Sequence, residues 1–231
     1  MNSARSWLVF GCAAFAYLIA VLQRTSFGVA GVDATERFDA SAAAISTVAV
    51  VQIVVYAALQ IPVGVLADRF GAPLLIAVGA VVMGAGQLLL SVADTVGLAL
   101  IARVLVGMGD AATFVSVLRL LPGWFQGPIL PQLSQWVGVI GQCGQLLSTF
   151  PFALALREAG WFPAFAVAGG VSLLAAILVG LWVRTGLPGS ATGSNPVLET
   201  GERGVRATLR RPGTQLGFWA HGAAGLVPTF I

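Results

Sequence analysis

Gly64-Val-Leu-Ala-Asp68-Arg69-Phe-Gly71 is a short charged segment that separates two long apolar runs, and its setting decides the fold class. Gly64 lets neighbouring helices approach closely, and Gly71 permits a tight turn, because glycine has no Cβ. Asp68 can accept hydrogen bonds from a helix N-terminus or from an arginine. The segment is therefore expected to form a polar turn between two helices that cross a membrane.

The composition of the whole chain points to lipid as its surroundings. Of its 231 residues, 58% are hydrophobic and 9% are charged, whereas a soluble domain has about 25% charged residues. A spanning helix needs about 20 mostly apolar residues, and six stretches meet this requirement. The chain is therefore predicted to be an all-α membrane protein, not a water-soluble enzyme. The six spans are placed at residues 7–29, 42–66, 73–93, 96–121, 131–156 and 162–183.

Three regions follow from this pattern. Residues 1–183 are expected to form a six-helix transmembrane bundle. Residues 184–213 are rich in Gly, Ser, Thr, Pro and Arg, which predicts a polar central loop. Residues 214–231 are apolar to the last residue and are interpreted as the start of a truncated seventh span. The first span is too long for a signal peptide and has no small-residue cleavage site after it.

The distribution of arginines predicts the orientation in the membrane. Cytoplasmic loops carry an excess of basic residues, and a cytoplasmic N-terminus places seven loop arginines inside and two outside. The chain is therefore expected to be a multi-pass cell-membrane protein with its central loop in the cytoplasm. The arginines are dispersed between apolar runs and form no single basic patch, which argues against nucleic acid as a partner. The inner arginines are Arg5, Arg69, Arg184, Arg203, Arg206, Arg210 and Arg211, and the outer ones are Arg37 and Arg157.

Two segments resemble motifs of the major facilitator superfamily of secondary transporters. The segment from Gly64 to Gly71 is similar to that family's G-x-x-x-D-R-x-G loop, and it lies at the same junction of spans two and three. Arg103-Val-Leu-Val-Gly107-Met-Gly109 is similar to the R-x-x-x-G-x-G pattern of span four. The resemblance implies a conformational gating role for Gly64, Asp68, Arg69 and Gly71. One departure is Ala72-Pro73, where the family often has basic residues.

Further matches narrow the resemblance. Asp110, seven positions after Arg103, and Arg24 in span one resemble the anion:cation symporter branch. A weaker match, Gly160-Trp161-Phe162, is similar to the G-W-R opening of span six but lacks its arginine. The resemblance implies the N-terminal half of a twelve-helix transporter, whose partner is a missing C-terminal six-helix half.

The charges inside the spans are the candidate site. A charge at bilayer depth costs at least about 2.5 to 3.5 kcal/mol, so such residues normally face a cavity or a partner. Arg24 and Arg103 are expected about 9 and 8 Å outward of their helix midpoints, and Asp110 lies two turns from Arg103 on the same face. Two guanidiniums above one carboxylate predict an anion site, with Arg24 and Arg103 binding the substrate and Asp110 exchanging a proton.

Structural roles for the same residues remain open alternatives. Arg24 can extend to the outer headgroups, and Arg103 can pair with Asp110 or with neighbouring backbone. Arg119, near the inner end of span four, is expected to reach the cytoplasmic headgroups.

Polar side chains at helical spacing predict the wall of a cavity, with Tyr17, Gln52 and Tyr56 as further substrate-binding candidates. Hydrogen bonding between helices is the equal alternative for these stripes. The first stripe is Gln52, Tyr56 and Gln60, and the second is Gln142, Gln145 and Thr149.

We therefore expect proton-coupled movement of a small organic anion by alternating access. The alternatives are a drug/proton antiporter and a non-transporting membrane fragment of a truncated gene. Span five lacks the Gly-Pro run typical of such antiporters. The single histidine, His221, and two cysteines in apolar runs form no catalytic or metal-ligand pattern, so no enzymatic activity, metal or cofactor is expected.

Overall fold

The computed structural model describes residues 3–183, and this part of the chain contains only helices. Six of its helical segments are long and apolar enough to cross a membrane, which confirms the predicted fold class. The fifth span is interrupted by one turn of π-helix, Ser148–Phe152, between α6 and α7. The regions predicted for residues 184–231, including the seventh span, lie outside the described residues. The helices are α1 (Ala4–Val29), α2 (Gly31–Arg37), α3 (Ala42–Phe70), α4 (Ala72–Ser91), α5 (Val96–Trp124), α6 (Ile129–Leu147), α7 (Ala153–Ala159) and α8 (Trp161–Trp182).

Hydroxyl side chains begin three of the spanning helices. The Ser3, Ser41 and Thr95 oxygens each accept a hydrogen bond of 3.3 Å from the backbone N–H three residues ahead. Such a cap satisfies one of the donors that the first helical turn leaves unpaired. These caps fix the starts of α1, α3 and α5 within three residues of the predicted positions.

The predicted polar turn between spans two and three is almost entirely helical, which corrects the expectation for this segment. α3 continues through Asp68 to Phe70, and α4 begins at Ala72. Only Gly71 lies outside a helix, with a φ of 88°, a conformation that side chains with a Cβ rarely adopt. Gly64 and Asp68 are four residues apart, so they share one face of the last turns of α3.

The core of the bundle forms around α5. α4 packs against α5 and α8, α3 packs against α5, and α1 packs mainly against α6, α8 and α5. Small residues permit these contacts: a Cβ on Gly79 would lie 2.8 Å from the Gly109 carbonyl, and one on Gly107 would lie 2.7 Å from the Gln52 carbonyl. Close helix contacts of this kind are typical of membrane proteins, where packing replaces the hydrophobic effect between helices.

The contact between α4 and α5 gives a prediction for stability. We expect Gly109→Ala to destabilise the protein by about 1–3 kcal/mol, because the new methyl overlaps the Gly79 carbonyl and the Met83 side chain. Gly97→Ala on the same helix is the control, since no atom lies within 4 Å of its Cβ. Thermal unfolding of the two variants in detergent measures the difference. Equal unfolding temperatures would contradict the close approach of the two helices.

Two spans are much less covered than the others. In the most apolar window of α3 only 17% of residues are buried, and in the span Ile129–Ala159 the share is 28%. The corresponding share is 56% for α1 and α4. α3 exposes large apolar side chains along its length, including Val50, Ile53 and Ile61. These two spans therefore present the faces of the bundle with the fewest protein contacts in residues 3–183.

Candidate functional site

An ion pair inside the bundle joins α1 to α5. The Nε atom of Arg24 lies 3.0 Å from Oδ2 of Asp110. The Asp110 side chain is fully buried, whereas the Arg24 side chain is 29% exposed. Within residues 3–183 no hydrogen bond reaches either carboxylate oxygen of Asp110, so Arg24 supplies its countercharge there.

Helix direction explains why Asp110 pairs with Arg24 and not with Arg103. Side chains on a helix lean toward its N-terminus. Arg24 therefore extends back along α1, and Arg103 extends along α5 away from Asp110, which lies two turns further toward the C-terminus. The consequence is that the two arginines, expected to act together, have different surroundings.

Two tyrosines complete the surroundings of the ion pair. The guanidinium carbon of Arg24 lies 5.1 Å from the centre of the Tyr56 ring, which is a cation–π distance. The Tyr17 side chain interacts with Arg24 from one side and packs against Phe114, with ring centres 5.3 Å apart. α6 approaches Tyr17 at Gly141, where a Cβ would lie 2.9 Å from the ring. We refer to Arg24, Asp110, Tyr17 and Tyr56 together as the Arg24 site.

Arg103 is fully buried and donates only to groups of the bundle. Its Nη2 atom donates to the Arg24 carbonyl at 2.9 Å and to the Gln52 side chain. Nη1 donates to the Gln87 side chain at 3.3 Å, and both Nη atoms lie 3.2 Å from the Gln23 carbonyl. The Phe27 ring centre lies 5.2 Å from the guanidinium carbon. This geometry matches the open alternative in which Arg103 pairs with backbone.

A wider network of buried amides and hydroxyls surrounds Arg103, and the sequence reasoning missed it. The Gln23 amide donates to the Ala168 carbonyl and to Ser172 on α8. The Gln87 amide on α4 donates to Gln23 and, at 2.9 Å, to Ser26. Gln87 is an isolated amide within a long apolar span, and that isolation was the available signal, since a buried polar group requires a partner.

The structure thus divides the predicted substrate ligands into two groups. Arg24, Tyr17, Tyr56 and Asp110 lie together in the Arg24 site. Arg103 and Gln52 lie in the buried network, and Gln52 is 3% exposed. The second polar stripe lies on α6 and the π turn, and it is exposed. Its residues are Gln142, Gln145 and Thr149. Substrate contact by any of these residues stays a prediction.

A second ion pair joins α3 to α5 at the end of the bundle that contains Gly71. Arg119 pairs with Asp68 and donates to the Gly64 carbonyl at 2.6 Å. A Cβ on Gly64 would lie 3.2 Å from Nη2 of Arg119, so this glycine makes room for the guanidinium. Arg119 thus has a protein partner in Asp68, and its contact with the cytoplasmic headgroups stays a prediction. The neighbouring Arg69 lies over the Phe70 ring, with its guanidinium carbon 5.3 Å from the ring centre.

The resemblance to secondary transporters implies a gating role for Asp68, so we expect Asp68→Asn to lower the implied rate of transport at least about fivefold while the membrane level of the protein stays near normal. The ion pair with Arg119 is about half exposed, and such pairs contribute only about 0.2–1 kcal/mol to stability. Its larger effect is expected on the balance between two arrangements of the helices. Uptake assays with immunoblots of membranes measure both quantities. Arg119→Gln alone and combined with Asp68→Asn provides the control, and additive losses would contradict a joint role.

Comparisons with known proteins provide independent evidence. Residues 13–230 match the family model of the Major Facilitator Superfamily. The chain is also similar to a protein of Cupriavidus necator described as a probable sulfoacetate transporter, with 27% identity over 174 residues. That alignment covers 72% of this chain and 39% of the relative, so the chain spans about two fifths of the relative's length.

Proposed function

Because the chain belongs to the Major Facilitator Superfamily, we propose that it moves a small organic anion across the cell membrane by alternating access, coupled to protons. The observation that carries this proposal is the ion pair between Arg24 and Asp110. It places a partly exposed guanidinium beside a fully buried carboxylate inside a membrane bundle. Charges at this depth are functional candidates because their burial is costly.

Arg24 supports an anionic substrate. The atom that the ion pair with Asp110 brings to 3.0 Å is Nε, so the two terminal Nη groups would be the ones to bind a substrate. A guanidinium binds carboxylates and related oxyanions through two parallel hydrogen bonds, which an ammonium cannot do. The similarity to a probable sulfoacetate transporter favours an anion with a carboxylate and a sulfonate. Tyr17 and Tyr56 flank the same guanidinium and would limit the size of the bound group.

Asp110 supports coupling to protons. A substrate anion at the Nη groups and the Asp110 carboxylate at Nε would share the single positive charge of Arg24. A buried carboxylate without a countercharge is expensive to keep ionised. Substrate binding at Arg24 would therefore favour proton uptake by Asp110, and substrate release would favour the return of the ion pair.

The two spans with the smallest buried share support a second six-helix half as the partner of this bundle. α3 and the span Ile129–Ala159 have the fewest buried residues of the six. Tyr56 lies on α3, so a half packed against this span would close the Arg24 site from the other side. The chain covers 39% of its relative, which leaves length for such a half in a protein of that size. We propose a transporter, not an enzyme, with the lipid bilayer, protons and a small anion as its partners.

Uptake of labelled sulfoacetate by the full-length protein in proteoliposomes tests this function. We expect accumulation when the outside is more acidic than the lumen, and loss of accumulation when a protonophore collapses the gradient. Liposomes without protein are the control. Uptake at the same rate with and without the proton gradient would contradict proton coupling. Proton-driven extrusion of lipophilic cations would instead favour the drug/proton antiporter.

The proposed orientation, with the N-terminus in the cytoplasm, has its own test. Single cysteines at Asp39 and at Thr192 are expected to react with a membrane-impermeant thiol reagent from opposite sides. Asp39 follows α2 and should be labelled in intact cells, whereas Thr192, outside the described residues, should be labelled only after permeabilisation. The reverse pattern would overturn the orientation.

A further inference from the structure

Arg103 does not share the role of Arg24, although both arginines lie inside the spans. Resting on the proposed function, we propose that Arg103 is a positioning residue, which fixes the part of α1 that bears Arg24 and does not touch the transported anion. Its contacts are with main-chain carbonyls and buried amides, whereas Arg24 has an ion pair and an exposed edge.

The terminal donors of Arg103 are used by groups of the bundle. A guanidinium has five N–H donors, of which four belong to the two Nη atoms. In the structure the Nη atoms make five contacts, with the carbonyls of Gln23 and Arg24 and the side chains of Gln52 and Gln87. The pair of terminal groups that would bind an oxyanion is thus already occupied. The side chain is also completely buried, so an anion would have to displace parts of three helices to reach it.

The contacts of Arg103 hold one turn of α1 in place. A carbonyl oxygen has two lone pairs, so the Gln23 and Arg24 carbonyls can accept from Arg103 in addition to their helical bonds. Gln52 and Gln87 attach the same guanidinium to α3 and α4. The Gln23 side chain extends the attachment to α8. One buried cation therefore connects α5 with the α1 turn from which the Arg24 side chain starts.

The position of this turn of α1 affects the Arg24 site. Arg24 must lie within 3 Å of Asp110 in one state and be available to an anion in another, so the position of its backbone matters. A displacement of about 1 Å at a binding group is enough to weaken a recognition geometry substantially. Loss of the Arg103 contacts would therefore reduce substrate affinity through Arg24, although every residue that binds the substrate would still be present.

A double-mutant cycle on sulfoacetate uptake by the full-length protein tests this mechanism. We expect Arg103→Lys to raise the KM about tenfold, since an ammonium has three donors and cannot satisfy all four acceptors. In an Arg24→Lys background the same change should raise the KM less than about twofold, because the group that it positions is already lost. The maximal rate should fall no more than about threefold in Arg103→Lys. Multiplying effects in the double variant would mean that both arginines bind the anion, and would overturn the proposal.

A second measurement does not depend on transport or on the choice of substrate. In the full-length protein with its native cysteines, including Cys12 and Cys143, replaced by serine, single cysteines are introduced as Arg24→Cys and Arg103→Cys. A small anionic methanethiosulfonate should modify the first at least about ten times faster than the second. Equal rates would show that anions reach position 103 and would overturn the positioning role.

The two measurements also separate this proposal from the proposed function. Absence of sulfoacetate uptake in the unsubstituted protein, together with the expected difference in modification rate, would overturn the substrate class alone. Proton-driven uptake together with equal modification rates would overturn the role of Arg103 alone.

Discussion

Arg24→Lys is expected to raise the KM for sulfoacetate about 10- to 100-fold while the protein still reaches the membrane. The variant keeps the positive charge beside Asp110, so the buried carboxylate retains a countercharge. It loses the planar pair of donors, and hydrogen bonds to charged groups contribute about 1.5–3 kcal/mol each. The same change removes the flat contact of the guanidinium with the Tyr56 ring. Initial rates over a range of sulfoacetate concentrations measure the KM.

Arg157→Lys is the matched control for this prediction. Arg157 is exposed at the end of α7, away from the Arg24 site, so its replacement should leave the KM unchanged. An unchanged KM in Arg24→Lys as well would show that any cation suffices at this position. Arg24 would then be a structural partner of Asp110 and not a ligand of the substrate.

The second large effect is expected for Asp110→Asn, which should abolish uptake driven by a proton gradient and leave counterflow exchange intact. Asparagine has nearly the same size as aspartate but cannot take up and release the proton. Exchange of labelled for unlabelled sulfoacetate requires no net proton movement, so it needs only Arg24 and the alternation of the two states. Proteoliposomes loaded with unlabelled sulfoacetate measure exchange, and empty ones under an imposed gradient measure driven uptake.

Asp33→Asn is the control here, because Asp33 is exposed on the short helix α2. Both activities should be retained in that variant. Driven uptake by Asp110→Asn at the normal rate would exclude this carboxylate as the coupling group. Loss of exchange together with driven uptake would point to a structural role, in which Arg24 without its partner no longer holds its position.

The sequence was sufficient for the spans because their signal is local. About twenty apolar residues in a row predict a spanning helix without knowledge of its neighbours. The spacing of Arg103 and Asp110 was also predictable, since both lie on α5. Spacing alone does not give the direction in which their side chains extend. It follows from helix polarity, and it sends Arg103 away from Asp110.

Contacts between spans were harder to predict. Arg119 and Asp68 pair across two helices and are 51 residues apart in the chain. Spacing within one helix therefore carries no information on this pair. The same holds for Gln87, whose partners Gln23 and Ser26 lie on α1. Only the high cost of an unpaired polar group in a membrane bundle indicates that partners exist. Their identity depends on which helices are neighbours.

The π turn at Ser148–Phe152 separates the length of the fifth span from its rotational phase. A π turn accommodates one residue more than an α-helical turn, so it is equivalent to a single-residue insertion. Deletion of one residue there would replace the π turn with an ordinary α turn, so α7 would keep nearly the same rotation relative to α6. Phe152 packs on Phe165 of α8 with ring centres 5.1 Å apart, whereas Phe150 and Leu154 point outward. A deletion of one residue elsewhere in the span would rotate everything that follows by about 100°, whereas the π turn is expected to absorb the deletion and leave the inward and outward faces of α7 in place.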